Sequence, residues 1–172
     1  MGSRYGCLLL HKDLQAAPTE ALRALGLKLD SSASAPVRRG PLPLKGDAGE
    51  VGVAFANGWT IIYGDTFLGL ADEHVIQERL PELSAGTRAV WWGTEGVSGF
   101  LGLEVWEDGI RLRAYEEVCG ETKVLLGEPP PRDNKYGEID EWQVVAAAAR
   151  EAIPWDLIAR AEFDYYRTGR PL

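Results

Sequence analysis

Apolar positions in this chain fall into short runs separated by turn-forming dipeptides, the pattern of a sheet built from hairpins. Tyr5 to His11 reads as a first strand, and Pro18 opens a short helix through Leu22 and Leu25 that Gly26 can close in a left-handed cap. Residues 51–56 and 59–63 flank Asn57-Gly58, which supplies the two positive-φ positions of a type I′ turn. A two-residue turn puts Ala56 opposite Trp59, Ala54 opposite Ile61 and Gly52 opposite Tyr63 on one side, with Phe55 and Thr60, Val53 and Ile62 on the other. Both sides are mostly apolar, so this hairpin is expected inside the sheet and covered on both faces.

Asp108-Gly109 repeats the signal between a strand of residues 97–107 and one of residues 110–119. Counting outward, Val105 faces Leu112, Leu103 faces Ala114 and Leu101 faces Glu116 on an inward side. The other side pairs Trp106 with Arg111 as cation on ring, Glu104 with Arg113 as a salt bridge, Gly102 with Tyr115, and Phe100 with Glu117. Trp, Tyr and Arg are the residue types that anchor interfaces, which makes Phe100, Glu104, Trp106, Arg111, Arg113 and Tyr115 a candidate partner-binding face. Trp92 joins them, because in the tandem Trp91-Trp92 successive strand residues point to opposite faces and cannot serve one core.

Asp72 can cap a mid-chain helix whose Val75, Ile76, Leu80 and Leu83 form one stripe, disturbed at Pro81. A strand over residues 87–92 and another over 122–126 complete the ladder, which stops at Pro129-Pro130-Pro131 because proline has no N–H to give. Two C-terminal helices, residues 138–152 and 154–163, are expected to cover the sheet through Trp142, Val145 and Ala149. Residues 30–49, rich in Ser, Pro and Gly with the basic pair Arg38-Arg39, read as a long flexible loop. The prediction is a single α+β domain over residues 1–172, mainly antiparallel sheet, packed by one mid-chain and two C-terminal helices.

Charge narrows the partners: 26 acidic against 18 basic residues give a net charge of −8. That disfavours phosphate backbones and anionic lipid and favours a basic protein partner. Cys7 and Cys119 sit in apolar, strand-like stretches, the setting of free thiols rather than of a disulfide framework. The apolar run of residues 7–10 is too short for a signal peptide or a membrane span, and Gly6 stands where a myristoylation motif wants Ser or Thr; a cytoplasmic, unlipidated protein is the expectation. Charge and length do not fix an oligomeric state.

Most catalytic chemistry finds no support in the residue pattern. Of the two histidines, His11 is separated from Cys7 by roughly 13 Å of extended chain, and His74 lies among Asp72, Glu73 and Glu78 where a solvated side chain is expected. No paired Cys or His suits zinc, the glycines at 93, 96, 99 and 102 match neither nucleotide fingerprint, and Glu116-Glu117 point apart on a strand. No cofactor, metal or catalytic residue is therefore expected.

In size, charge and hairpin-rich α+β layout the chain is similar to bacterial immunity proteins, a likeness of class rather than of motif. It implies a stoichiometric protein-binding module, an immunity-type inhibitor that neutralises a basic toxin or nuclease, and not an enzyme. The alternatives are a small cytosolic enzyme using carboxylates that converge in the fold, with Asp65, Glu95 and residues 133–138 as candidates, and a structural or assembly subunit that uses the aromatic hairpin face.

Overall fold

The unbroken apolar run Cys7-Leu8-Leu9-Leu10 lies at the centre of the molecule, each residue at most 2% exposed, because its strand is covered on both faces. A computed structural model of the chain describes residues 4–27, 29, 35–42, 49–64, 75–132 and 139–168. In it β1 (Arg4–Leu10) is the middle strand of a nine-stranded antiparallel sheet. The other strands are β2 (Arg38–Gly40), β3 (Glu50–Ala56), β4 (Trp59–Gly64), β5 (Arg88–Glu95), β6 (Phe100–Glu107), β7 (Ile110–Val118), β8 (Glu121–Leu126) and β9 (Phe163–Arg167), in the order β2-β9-β3-β4-β1-β5-β6-β7-β8. The helices are α1 (Pro18–Ala24), α2 (Val75–Leu83), α3 (Glu141–Glu151) and α4 (Trp155–Arg160). The class is α+β with one antiparallel sheet, and among the described residues no helix is long and apolar enough to cross a membrane.

The period of two divides the sheet's side chains between two cores. Cys7, Leu9, Ala54, Ile61, Tyr63, Val90 and Leu103 pack under α3 and α4, against Val144, Val145, Ala147, Ala148 and Ile158. Leu8, Leu10, Val51, Val53, Ile62 and Trp106 pack on the opposite face with Leu22 and Leu25 at α1 and Leu80 of α2. Trp91 belongs to this second core and Trp92 to the first, at 5% and 3% exposure, so the tandem tryptophans are both buried, back to back across the sheet.

At the first turn Asn57 and Gly58 have φ of 50° and 79°, and Ala56 pairs with Trp59, Ala54 with Ile61 and Gly52 with Tyr63. The second turn, Asp108-Gly109 with φ of 51° and 77°, starts as the dipeptide suggests, with Trp106 opposite Arg111. A β-bulge then intervenes between Val105 and Trp106, so that Val105 pairs with Arg113, Glu104 with Ala114, Leu103 with Tyr115 and Phe100 with Val118. The uniform register expected from the sequence is thus corrected by one residue beyond the turn: Leu112 has no partner and is 47% exposed. Crowding over Gly102 accounts for it. A Cβ there would lie 2.8 Å from Phe100 Cζ and from Trp91 Cη2 and Cζ3, which leaves no room for the Tyr115 ring. The bulge sends Tyr115 to the α3 side and puts Glu116 opposite Gly102.

Three further expectations are corrected. The last predicted helix does not reach residue 163: α4 ends at Arg160, and Phe163–Arg167 form β9, inserted between β2 and β3 with Tyr165 opposite Gly52. A Cβ on Gly52 would sit 2.8 Å from that ring. Inside the supposed loop of residues 30–49, Arg38–Gly40 are the edge strand β2; Arg38 packs 3.5 Å above the Tyr165 ring and bonds Glu50, while Arg39 bonds Asp164 through two nitrogens. On α3 the buried stripe is Val144, Val145, Ala147 and Ala148, and Trp142 is 61% exposed, its ring edge-on to Trp155. Asp72, His74, Asp65 and residues 133–138 lie outside the described residues.

Candidate functional site

The bulge divides the proposed hairpin patch between the two faces of the sheet. Phe100 and Trp106 belong to the α1/α2 side, with Glu104 bonded to Trp106 on that face; Tyr115 and Trp92 belong to the α3 side. Trp106, Glu104, Tyr115 and Trp92 are buried, at 9%, 3%, 2% and 3% exposure. The expected Glu104–Arg113 bridge is replaced by two others. Arg111 Nη2 donates to Glu104 Oε1 at 2.8 Å, and Trp106 Nε1 donates to Glu104 Oε2 at 2.7 Å. Arg113 donates to Glu151 Oε1 at 3.0 Å and to the carbonyls of Glu128 and Pro129, fastening the end of α3 and the chain after β8 to the sheet. These groups hold the fold together, and they do not form one surface.

The concave surface lies elsewhere, at the end of the sheet where β5 turns into β6 and β7 into β8. The first turn runs from Glu95 through Gly99, which has φ of 60°, and Ser98 Oγ donates to Glu95 Oε2 at 2.6 Å. The second is Cys119-Gly120, a positive-φ pair at 52° and 80°. Cys119 N donates to Gly99 O at 3.2 Å and Cys119 Sγ to Ser98 O at 3.1 Å, so the two turns form one wall. A Cβ on Gly99 would come within 3.3 Å of the Cys119 backbone, the close approach that glycine permits.

The opposite wall is the N-terminus of α3. Asp140 caps it, accepting from Trp142 N at 2.8 Å and Gln143 N at 3.2 Å, and Gln143 Oε1 accepts from Asp140 N at 3.1 Å, a complete capping box. That fixes Glu141, whose Oε2 accepts from Thr94 Oγ1 at 3.4 Å. Between the walls is a cleft of about 680 Å³ with Phe100, Leu101 and Ile139 among its apolar lining. Among the described residues its ionisable lining is four carboxylates, Glu95, Glu117, Asp140 and Glu141, one guanidinium, Arg132, and the Cys119 thiol. The Tyr115 hydroxyl donates to Glu117 Oε2 at the edge of this lining; burial first, and then the adjacent carboxylate, push that phenol well above its usual range.

Of the enzyme candidates named from sequence, Glu95 lies in the cleft. Glu117, Asp140, Glu141, Arg132 and Cys119 were not recognised as a set, because they come from separate segments and only the strand order brings them together. His11 stacks on Trp59 with ring centroids 4.7 Å apart, remote from Cys7, which is completely buried and whose thiol is pushed far up by desolvation. Among the described residues no group of three or more His, Cys, Asp and Glu side chains is placed to hold a metal ion.

The fold and site define an antiparallel-sheet protein with helices on both faces and an acidic cleft at one end of the strands. No protein-family model, no curated protein and no solved structure matches the chain.

Proposed function

We propose that this protein is a stoichiometric binding module for a basic protein, and that the cleft between the β5–β6 and β7–β8 turns and α3 receives lysine or arginine side chains of that partner. The observation that carries this reading is the lining: among the described residues, four carboxylates against one guanidinium, around an apolar floor suited to the methylene stem of a basic side chain. The net charge of −8 adds a long-range attraction for a positively charged partner and repulsion toward nucleic acid. A toxin or nuclease that binds phosphates through Lys and Arg displays the matching charge, which makes an inhibitor of the immunity type the role this surface fits best.

The test is affinity capture from the native host with the immobilised protein and with the triple variant Glu95→Gln, Glu117→Gln, Glu141→Gln, each at low and high salt. The expected result is a basic protein captured stoichiometrically at low salt by the natural sequence, released by salt and not held by the variant. Capture of the same proteins by both, or capture indifferent to salt, overturns the reading.

A further inference from the structure

The acidic cleft continues into a sheet edge that is unpaired among the described residues. β8 is the last strand in the order, and among the described residues it pairs with β7 alone. One row of its backbone N–H and C=O groups therefore faces outward. It begins at Glu121, directly after Gly120 in the cleft wall, and ends at Leu126. All its side chains but Val124 are exposed, and Leu125 and Leu126, at 57% and 44% exposure, sit opposite Tyr115 and Ala114, on the two faces of the ribbon. Edge strands are commonly blunted by a lysine; here the lysine, Lys123, is accompanied on the same strand by an acid, Glu121, with Nζ 2.6 Å from its Oε2.

Resting on the binding reading above, we infer that the basic partner docks by strand addition: an extended segment of it pairs antiparallel with β8 as a tenth strand, with a basic side chain at its cleft-side end entering among Glu95, Glu117 and Glu141. Main-chain hydrogen bonds to β8 supply affinity that does not depend on sequence, Leu125 and Leu126 offer apolar contacts on alternate sides, and the cleft selects for positive charge. Charge also decides against the simplest competing occupant, β8 of a second copy, since two chains of net charge −8 repel.

The experiment uses the full chain and two blocked hexapeptides, one alternating Val with Lys and one alternating Val with Glu, with amide hydrogen exchange followed by NMR. The expected result is saturable binding of the Lys peptide that slows alternate amides of residues 121–126 by about tenfold or more, with no such effect from the Glu peptide. The triple Gln variant should bind the Lys peptide about fivefold or more weakly, a loss of roughly 1 kcal/mol. Binding that depends on the cleft carboxylates but leaves the β8 amides unchanged overturns strand addition and leaves the cleft reading standing. Absence of binding, or equal affinity for the triple variant, overturns both.

Discussion

Glu104 and Arg111 form an ion pair at 2.8 Å in which the carboxylate side chain is only 4% accessible and the guanidinium 30%. Its second oxygen takes the Trp106 indole N–H, so one buried acid closes a three-membered network beside the bulge. Removing only the acid leaves a partly buried cation and an indole donor without this acceptor. Glu104→Ala should therefore cost about 3 kcal/mol in chemical denaturation. Replacing the pair together, Glu104→Met with Arg111→Met, should recover at least half of that loss, because apolar isosteres remove both desolvation penalties at once. Additive losses in the double variant would show that the two residues are not coupled.

Gly102 has no room for a methyl group, with Trp91 and Phe100 rings 2.8 Å from where a Cβ would stand. Gly102→Ala should destabilise by about 1–3 kcal/mol and change the near-ultraviolet circular dichroism, since Trp91 must move. An unchanged spectrum and melting midpoint would mean that the rings do not rest on this glycine.

What was legible in the residues was whatever depends on near neighbours. The Asn57-Gly58 turn needs two successive positive-φ positions, and the structure has them there. Cys7 to Leu10 carries its burial in plain hydrophobicity. The Leu112 bulge was not legible, because it is imposed by Trp91 from a third strand, and a pairwise register argument between β6 and β7 does not include that strand. β9 was missed because residues 155–160 are helical and the strand begins after only Ala161 and Glu162. The cleft was least legible of all: Glu95, Glu117 and Glu141 become neighbours only through the order of the sheet and the capping of α3.

The two thiols should behave as opposites. Cys119 is exposed in the β7–β8 turn, whereas Cys7 is wholly buried beneath α3 and α4. A colourless-to-coloured disulfide exchange reagent should titrate one thiol in the native protein and two in denaturant. The Cys119→Ser variant should give none until it unfolds; rapid reaction of two native thiols would contradict the burial of Cys7.

Alkaline instability follows from the same burial. Desolvation holds the Cys7 thiol and the Tyr63 phenol above their ordinary values in the folded chain. In the unfolded chain they ionise near about 8.5 and 10. For a folded pKa that is raised, the stabilising contribution is complete below the unfolded value and is lost as pH climbs toward the folded one. Stability should thus begin to fall above about pH 8.5 and fall faster above about pH 10, with Tyr63 adding up to about 1.4 kcal/mol per pH unit. Cys7→Ala should remove the first phase, and Tyr63→Phe should make the second shallower, with the raised phenols of Tyr115, Tyr165 and Tyr166 carrying the rest. A profile level from pH 8 to 11 would disprove the assignment.

β9 separates two kinds of contact that look alike on paper. Phe163 is fully buried between Tyr63 and Tyr165, at centroid distances of 6.4 and 6.1 Å, and its strand joins β2 to β3. The Arg39–Asp164 pair on the same strand has ideal-looking bonds, at 2.6 and 3.0 Å, but the Arg39 side chain is 62% exposed. Burial rather than geometry should decide which matters. Phe163→Ala is expected to cost about 3–5 kcal/mol through the cavity it leaves, while Arg39→Ala should leave the denaturation midpoint unchanged, because a solvated pair gives back in side-chain entropy and screening what it gains in Coulomb energy. The reverse ranking would mean that β9 is held to the sheet by its charged rim and that Phe163 is not part of the core beneath α3 and α4.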